Sequence, residues 1–557
     1  MQKKQTILVV ASLLVVVLSV TLAYFTVQII GKEKNVTINS ADLKIIFTDS
    51  DGSISGTNIE PGNWNVTKTF TIENKSKETY KYNIVIQNLV NTFVTNGYLQ
   101  YKITSTNGGY NMTEFEDVPK SSLATDTILA YSASIDVGVT QSYTVEFIYK
   151  NDESIDQSDD MGKTLSGKLF ITEGTIDYAM YAGYEEGTLG YQIMSDNPTR
   201  STRSNNNNGT NDFATPLTTT TTGTLFTSTE SIAGSTPKEV YYYAGNTTNN
   251  WVKFGTFASD GPIRGYLSGS NMFYKEYTTL EECNSASSHN TNCSYAWGKG
   301  DPMYWRIIRT NHDQSIRLLY VGASPDTETG HIGKSTFNPF DSSPKYVGYK
   351  YGEDTSLDTI RNNTTDSTIK AFIDSWYQNN LINYTKYLSN DAVYCNDREL
   401  EAGQTYGGSP FNYASHGRLV TNKTPTYNCT NNKDAFSGNN SEAKLDYPIA
   451  LMTADEIVFA GGVAYREIST SYLWLISNSV GTYVSSDWWS LSPSNFDPIW
   501  GSLFWYWSYE HKRFSSTGND IESLVRPVLS LKSCIKYSTG NGTPETPYEI
   551  VETSSGC

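Results

Sequence analysis

Between Ile38 and Thr172 apolar residues recur at every second position, in segments such as KTFTIEN (68–74), YKYNIVIQN (80–88), YLQYKITS (98–105), QSYTVEFIYK (141–150) and LSGKLFIT (165–172). A period of two sends successive side chains to opposite faces of a strand, so each segment has one face to bury and one to wet. Turn-forming groups separate the segments, Asp51-Gly52, Pro61-Gly62 and Asn107-Gly108-Gly109 among them, and no long helical repeat interrupts. Short strands joined by tight turns pair antiparallel, and two such sheets hide their apolar faces by stacking. Residues 33–175 are therefore expected to form an antiparallel β-sandwich.

Ahead of it, Ile7 to Ile30 are 24 residues without a charge, preceded by Lys3 and Lys4. That length crosses a bilayer core of about 30 Å, and the basic flank stays cytoplasmic. The same stretch reads as a signal peptide, since Thr21 and Ala23 supply a small-x-small site before Tyr24. Either way residues 1–32 act as a signal or transmembrane segment, membrane contact runs through them, and the chain from residue 33 onward is expected outside the cell.

At 557 residues the chain exceeds what one hydrophobic core fills, roughly 250–300 residues. Residues 176–236, with STRSNNNNGTND, TPLTTTTTGT and STESIAGSTP, read as a polar low-complexity linker too poor in apolar groups to fold alone. Residues 237–557 then form a second, larger domain rich in aromatic residues and carrying every cysteine: Cys283, Cys293, Cys395, Cys429, Cys534 and Cys557. An even number in an exported chain implies disulfides, and the simplest pairing joins sequence neighbours, 283–293, 395–429 and 534–557. No C-x-x-C spacing offers a zinc site. Within this domain Ile369, Phe372, Ile373 and Trp376 recur at helical spacing, and Thr453 with Glu456 forms a capping box whose helix stops at Gly461-Gly462. The remainder alternates like strands, as in 303–310, 315–322, 481–493, 501–510 and 524–532, which makes the domain α+β. A net charge of −17 excludes a phosphate-tracking nucleic-acid binder.

Two stretches resemble known families. The run ending in LAYFT, then NSADLKIIFTDSDGS and IEPGNWNVTKTFTIENKSKETYKYNIVI, is similar to the opening of the TasA/camelysin family of bacterial surface proteins over about residues 15–175. That resemblance implies a jelly-roll-like sandwich and, for some members, assembly into biofilm fibres. The order YWRIIR, helix, TADEIVFAGG, DWWSLSP, LFWYW and VRPVLSL resembles surface domains with the C-type-lectin-like fold shared by formylglycine-generating-enzyme relatives, from about Trp305 to Lys532. It implies a disulfide-stapled α+β domain that binds. The sugar-coordinating Glu-Pro-Asn and Trp-Asn-Asp motifs of that family are missing from the matching region, and the late cysteines lie beyond VRPV, where they do not match the family's reactive pair.

No catalytic residue is legible: the five His form no H-E-x-x-H, and no nucleophile stands beside a His and an acid. Asp49-Ser-Asp51-Gly-Ser53 with Glu60 mimics a calcium loop but has Ile54 where glycine is required, and the acidic loop 151–160 reads as solvated charge. Neither a metal nor a cofactor is expected. The segment Trp488–Phe514 differs, because its crowded aromatic, Ser and Asn residues are the composition of a recognition surface. The expected ligand-binding set is Trp488, Asn495, Phe496, Trp500, Trp505, Tyr506 and Tyr509. Together these features predict an adhesion or ligand-recognition protein of the cell surface, whose partner is a glycan or protein of a host or neighbouring cell. A fibre or matrix subunit formed by self-assembly is the second reading, and a surface hydrolase the third.

Overall fold

The computed structural model describes residues 36–39, 43–47, 53–56, 60–62, 64–95, 97–173, 183–203, 211–266, 274–286, 293–325, 330–408, 410–468, 473–476 and 487–557. The expected leader or anchor (1–32) and the start of the calcium-like run (49–52) lie outside the described residues. Among the described residues no helix is long and apolar enough to cross a membrane.

The chain divides into two compact units, Met1–Tyr178 and Ala179–Cys557. The first contains β1 (Val36–Asn39), β2 (Leu43–Phe47), β3 (Ser53–Gly56), β4 (Trp64–Asn74), β5 (Tyr80–Asn91), β6 (Leu99–Ser105), β7 (Glu116–Asp117), β8 (Ser121–Ile135), β9 (Thr140–Tyr149) and β10 (Leu165–Glu173). They pair antiparallel in two sheets, β1-β2-β4-β9-β6-β7 and β3-β10-β5-β8. Strand β9 alternates inward and outward along its length, as a period of two requires. Its Val145 and Phe147 join Ile45, Phe70 and Ile72 of the same sheet, and Ile84, Ile86, Leu169 and Ile171 of the other, in one buried cluster. The Asn107-Gly108 turn has φ of 56° and 85°, the left-handed pair that tight turns favour.

The second unit has a ten-stranded mixed sheet whose middle strands are Lys238–Tyr242, Pro302–Thr310 and Trp251–Thr256. Ile316–Gly322 pairs with Pro302–Thr310 and continues to Pro527–Leu531. A six-stranded sheet holds Gly333–Ser335, Ser523–Val525, Trp488–Asp497, Gly501–Ser508 and Arg513–Gly518, with Phe411–Asn412 paired to Trp488–Asp497. The segment expected as one strand, 524–532, is split between the two sheets at Arg526. That residue is buried over the Trp488 ring, 5.1 Å from its centroid, and burial pushes its guanidinium down to about 9.

The helix Thr368–Asn380 forms where expected, with Ile369, Ile373 and Trp376 buried. Ala454–Phe459 begins at the reciprocal Thr453–Glu456 capping box, and Gly461 comes just after it with φ of 121°. All three disulfides join sequence neighbours, Cys283–Cys293, Cys395–Cys429 and Cys534–Cys557, with Cα separations of 6.0, 5.7 and 5.6 Å. Cys395–Cys429 closes a separation of 34 residues. Replacing both of its cysteines by Ser is expected to cost about 4 kcal/mol through the larger unfolded-state entropy, seen as a lower urea midpoint.

The structure corrects the expected linker. Within residues 176–236 the helix Leu189–Asp196 and the strands Thr199–Thr202 and Thr224–Glu230 belong to the second unit, the strands pairing into its ten-stranded sheet. Phe213, Leu225 and Phe226 are buried, and Arg203 covers the Phe213 ring at 4.2 Å while donating to the carbonyls of Val458 and Phe459. Composition marks this stretch as polar, but a few apolar anchors at the right positions suffice when a neighbouring sheet supplies the rest of the core.

Candidate functional site

Among the described residues of the second unit, buried ion pairing gathers around Glu456, around Lys370, and around Asp434, which is paired with Arg361 at 3.0 Å and Arg398 at 2.6 Å. In the first, Glu456 accepts from Arg309 Nε at 2.8 Å and Arg317 at 2.6 Å, while Arg309 also donates to Glu230 at 2.8 Å. Arg418 grips both carboxylate oxygens of Asp455 at 2.8 Å and reaches Asp397 at 2.5 Å. Burial alone would raise the carboxyl of Glu456, but Arg317 and Arg309 overcome it and hold it below the ordinary glutamate value. Asp397 goes the other way, raised by burial. The cavity lined by Glu230, Arg309, Arg317, Asp397, Arg418 and Asp455 measures about 20 Å³, room for a single water rather than a substrate. The network braces the strands Thr224–Glu230, Pro302–Thr310 and Ile316–Gly322 against the helix Ala454–Phe459.

The second is the carboxylate triad Asp366, Asp374 and Asp446, the one group of metal-ligating geometry among the described residues. Its cation is already present: Lys370 Nζ lies 3.1, 2.6 and 2.8 Å from the three carboxylates, and they hold its ammonium above the usual lysine value against the opposing effect of burial. In the acidic loop 151–160, Glu153 and Asp159 are exposed, while the buried Asp160 accepts from the Val94 and Thr95 amides at 2.6 and 3.2 Å and from Tyr149 at 2.9 Å.

The aromatic segment forms the hairpin Trp488–Asp497 and Gly501–Ser508, continued by Arg513–Gly518. Its seven expected ligand residues do not share one face. Trp488 and Trp505 are fully buried, Trp505 stacking on Phe514 at 4.8 Å and donating from Nε1 to Ser415 at 3.0 Å. Trp505 and Tyr506 are sequence neighbours on a strand and point to opposite faces. Tyr506 is half-buried, its ring 6.4 Å from that of Trp489. Tyr509 closes the far end of the hairpin, its amide bonded to Asp487 at 2.6 Å; nine residues of extended chain put it roughly 30 Å from Trp500. Only Asn495, Phe496 and Trp500 lie toward the hairpin tip.

There the tip is a rigid display. Asp497 Oδ1 accepts from the amides of Ile499 and Trp500 at 2.7 and 3.2 Å, and Gly501 turns the chain with φ of 73°. Ile499 and Trp500 stand 81% and 69% exposed. A Cβ on Gly501 would sit 2.6 Å from Asp341, so glycine is what lets the loop around residues 340–343 close on the tip. The Ser502 amide holds that loop through the Asp341 carbonyl at 2.9 Å.

This contact brings in residues that sequence reasoning missed. Phe340, 59% exposed, lies 5.6 Å from Tyr346, and Tyr346 lies 5.5 Å from Tyr351. On the other side Phe496 stacks on Phe411 at 5.6 Å, and Phe411 meets Tyr406 at 5.9 Å. Asp354 joins the two arms by accepting from both Ser343 and Tyr406 hydroxyls. The result is a surface rim of aromatic rings pinned by polar bonds. The one signal in the sequence was local, the Phe340-Asp341 and Tyr346 to Tyr351 clustering, and nothing there pointed to residue 500.

No protein-family model matches the chain, and no curated protein matches it. Among solved structures the chain is similar to one described as "AvmM Catalyzes Macrocyclization in Alchivemycin A Biosynthesis", at 9% identity and a TM-score of 0.13, over 23% of this chain and 89% of that one. A likeness that slight carries no argument about fold or activity.

Proposed function

We propose that the protein is a surface recognition protein whose second unit binds a glycan or protein of another cell through the rim around Trp500, Phe340 and Tyr346. The observation that carries this reading is the exposure of Ile499 and Trp500 on a hairpin tip fixed by Asp497 and Gly501. Stiff rings held before the partner arrives lose little entropy on binding. Contact rather than catalysis fits the charged clusters, whose carboxylates are already matched by Lys370 and by guanidinium groups. Three disulfides suit an oxidising, extracellular setting. In this reading the first unit is a jelly-roll-like stalk, the second a C-type-lectin-like domain, and the N-terminal segment the route to the membrane or the exterior.

The test is binding by Trp500→Ala on host glycan and protein arrays. Affinity is expected to fall about tenfold or more, as for a central aromatic anchor, while the thermal midpoint stays within about 1 °C because the ring rests on little. Unchanged array binding by the variant would refute the assignment.

A further inference from the structure

Around the aromatic rim carboxylates outnumber cations. Asp341 sits against Gly501, Asp354 bridges Ser343 and Tyr406, Glu353 is exposed beside it, and Asp497 caps the tip. The cations of the same stretch are Lys345 and Lys350, and Lys350 is turned to Asp366 at 3.3 Å. Lys345 places its ammonium over the Tyr346 ring, 5.3 Å from the centroid. A cation from the chain itself therefore already occupies one of these faces, as the negative face of an aromatic ring favours. The rings of Phe340 and Trp500 stay exposed beside carboxylates, which only accept hydrogen bonds.

Aromatic faces and carboxylates attract the same thing, a positively charged donor with an apolar stem. Anionic ligands meet like charge here, reinforced by a chain of net charge −17. Guanidinium and ammonium side chains satisfy both features at once, stacking on a ring while donating to an adjacent carboxylate. Resting on the reading of the rim as a recognition surface, we infer that its partner is a protein surface presenting Arg or Lys side chains to Phe340, Trp500, Asp341 and Glu353.

The experiment uses the full chain with three probes: a labelled hexa-arginine peptide, an uncharged Gly/Ser peptide of equal length, and an array of neutral and anionic oligosaccharides. Hexa-arginine is expected to bind, the uncharged peptide not, with affinity falling about tenfold between low salt and roughly 0.5 M. The double variant Asp341→Asn/Glu353→Gln and, separately, Trp500→Ala are each expected to weaken it about fivefold to tenfold. Glu153→Gln/Asp159→Asn, which removes the same charge from the exposed acidic loop of the first unit, is expected to leave it unchanged. Equal losses in the two charge-neutralised variants would mean general acidity and overturn the inference. Trp500-dependent binding of oligosaccharides without hexa-arginine binding would overturn it while the recognition reading stands. Loss of neither probe in Trp500→Ala would overturn both.

Discussion

Trp505→Ala is expected to cost about 3–5 kcal/mol of unfolding free energy, the scale for emptying a fully buried aromatic site, although Trp505 and Trp500 look alike in sequence. The indole of Trp505 lies between Phe514, Tyr465 and His416, at centroid distances of 4.8, 5.3 and 6.0 Å, and its N–H donates to Ser415. Ser415 in turn donates to the Pro493 carbonyl at 2.5 Å, so the ring also helps hold the neighbouring strand. Removal leaves a cavity and an unfilled hydroxyl acceptor, two losses that add. Urea unfolding of Trp505→Ala beside Trp500→Ala is the measurement. A loss under about 1 kcal/mol for Trp505→Ala would mean that the hairpin is far looser than its packing implies.

Glu456→Gln is the second large effect, expected at about 3–5 kcal/mol, the usual result of removing one partner from a buried ion network. Gln keeps the shape and still accepts from the Thr453 amide, bonded at 3.0 Å in the native chain, so the helix cap survives and the charge is what changes. Arg309 keeps Glu230, whereas Arg317 loses the carboxylate 2.6 Å from it. A urea midpoint equal to the parent's would sink this account.

The same network sets a pH dependence. Glu456 and Glu230 are held below the ordinary value of 4.5 in the fold, burial opposing and the guanidinium groups prevailing. Their contribution is therefore complete above that value and is lost as pH falls through the lowered ones. His312, 3.3 Å from Glu230, is raised above 6.5, burial opposing and Glu230 prevailing. Its contribution is present below 6.5 and lost as pH rises through the raised value. Asp397, raised by burial, partly offsets the acid limb. In the Glu456→Gln variant the acid limb of a stability–pH curve should be shallower than in the parent, and an identical slope would count against the network.

Local pattern carried a good part of this fold. Strand β9 alternates in the structure as it does in the sequence, because a period of two is decided by adjacent residues. The helix Thr368–Asn380 and the Thr453–Glu456 cap were equally readable, since each rests on residues three and four apart. Disulfide pairing followed from chain proximity. The segment 176–236 reads as a linker in sequence because the core around Leu225 and Phe226 is completed by residues outside that segment, such as Tyr242 at 5.5 Å from Phe226.

The candidate site divides along the same line. By itself the sequence determined that aromatic residues crowd between 488 and 514 and that they alternate. Alternation states that neighbours face apart; it does not state which face is covered. That was decided by Phe514, Ser415 and Phe337, which bury Trp505 and Trp489 on opposite faces and leave Trp500 in solvent. The rim itself exists only in three dimensions, where the close approach of Asp341 to Gly501 joins residues about 160 apart in the chain.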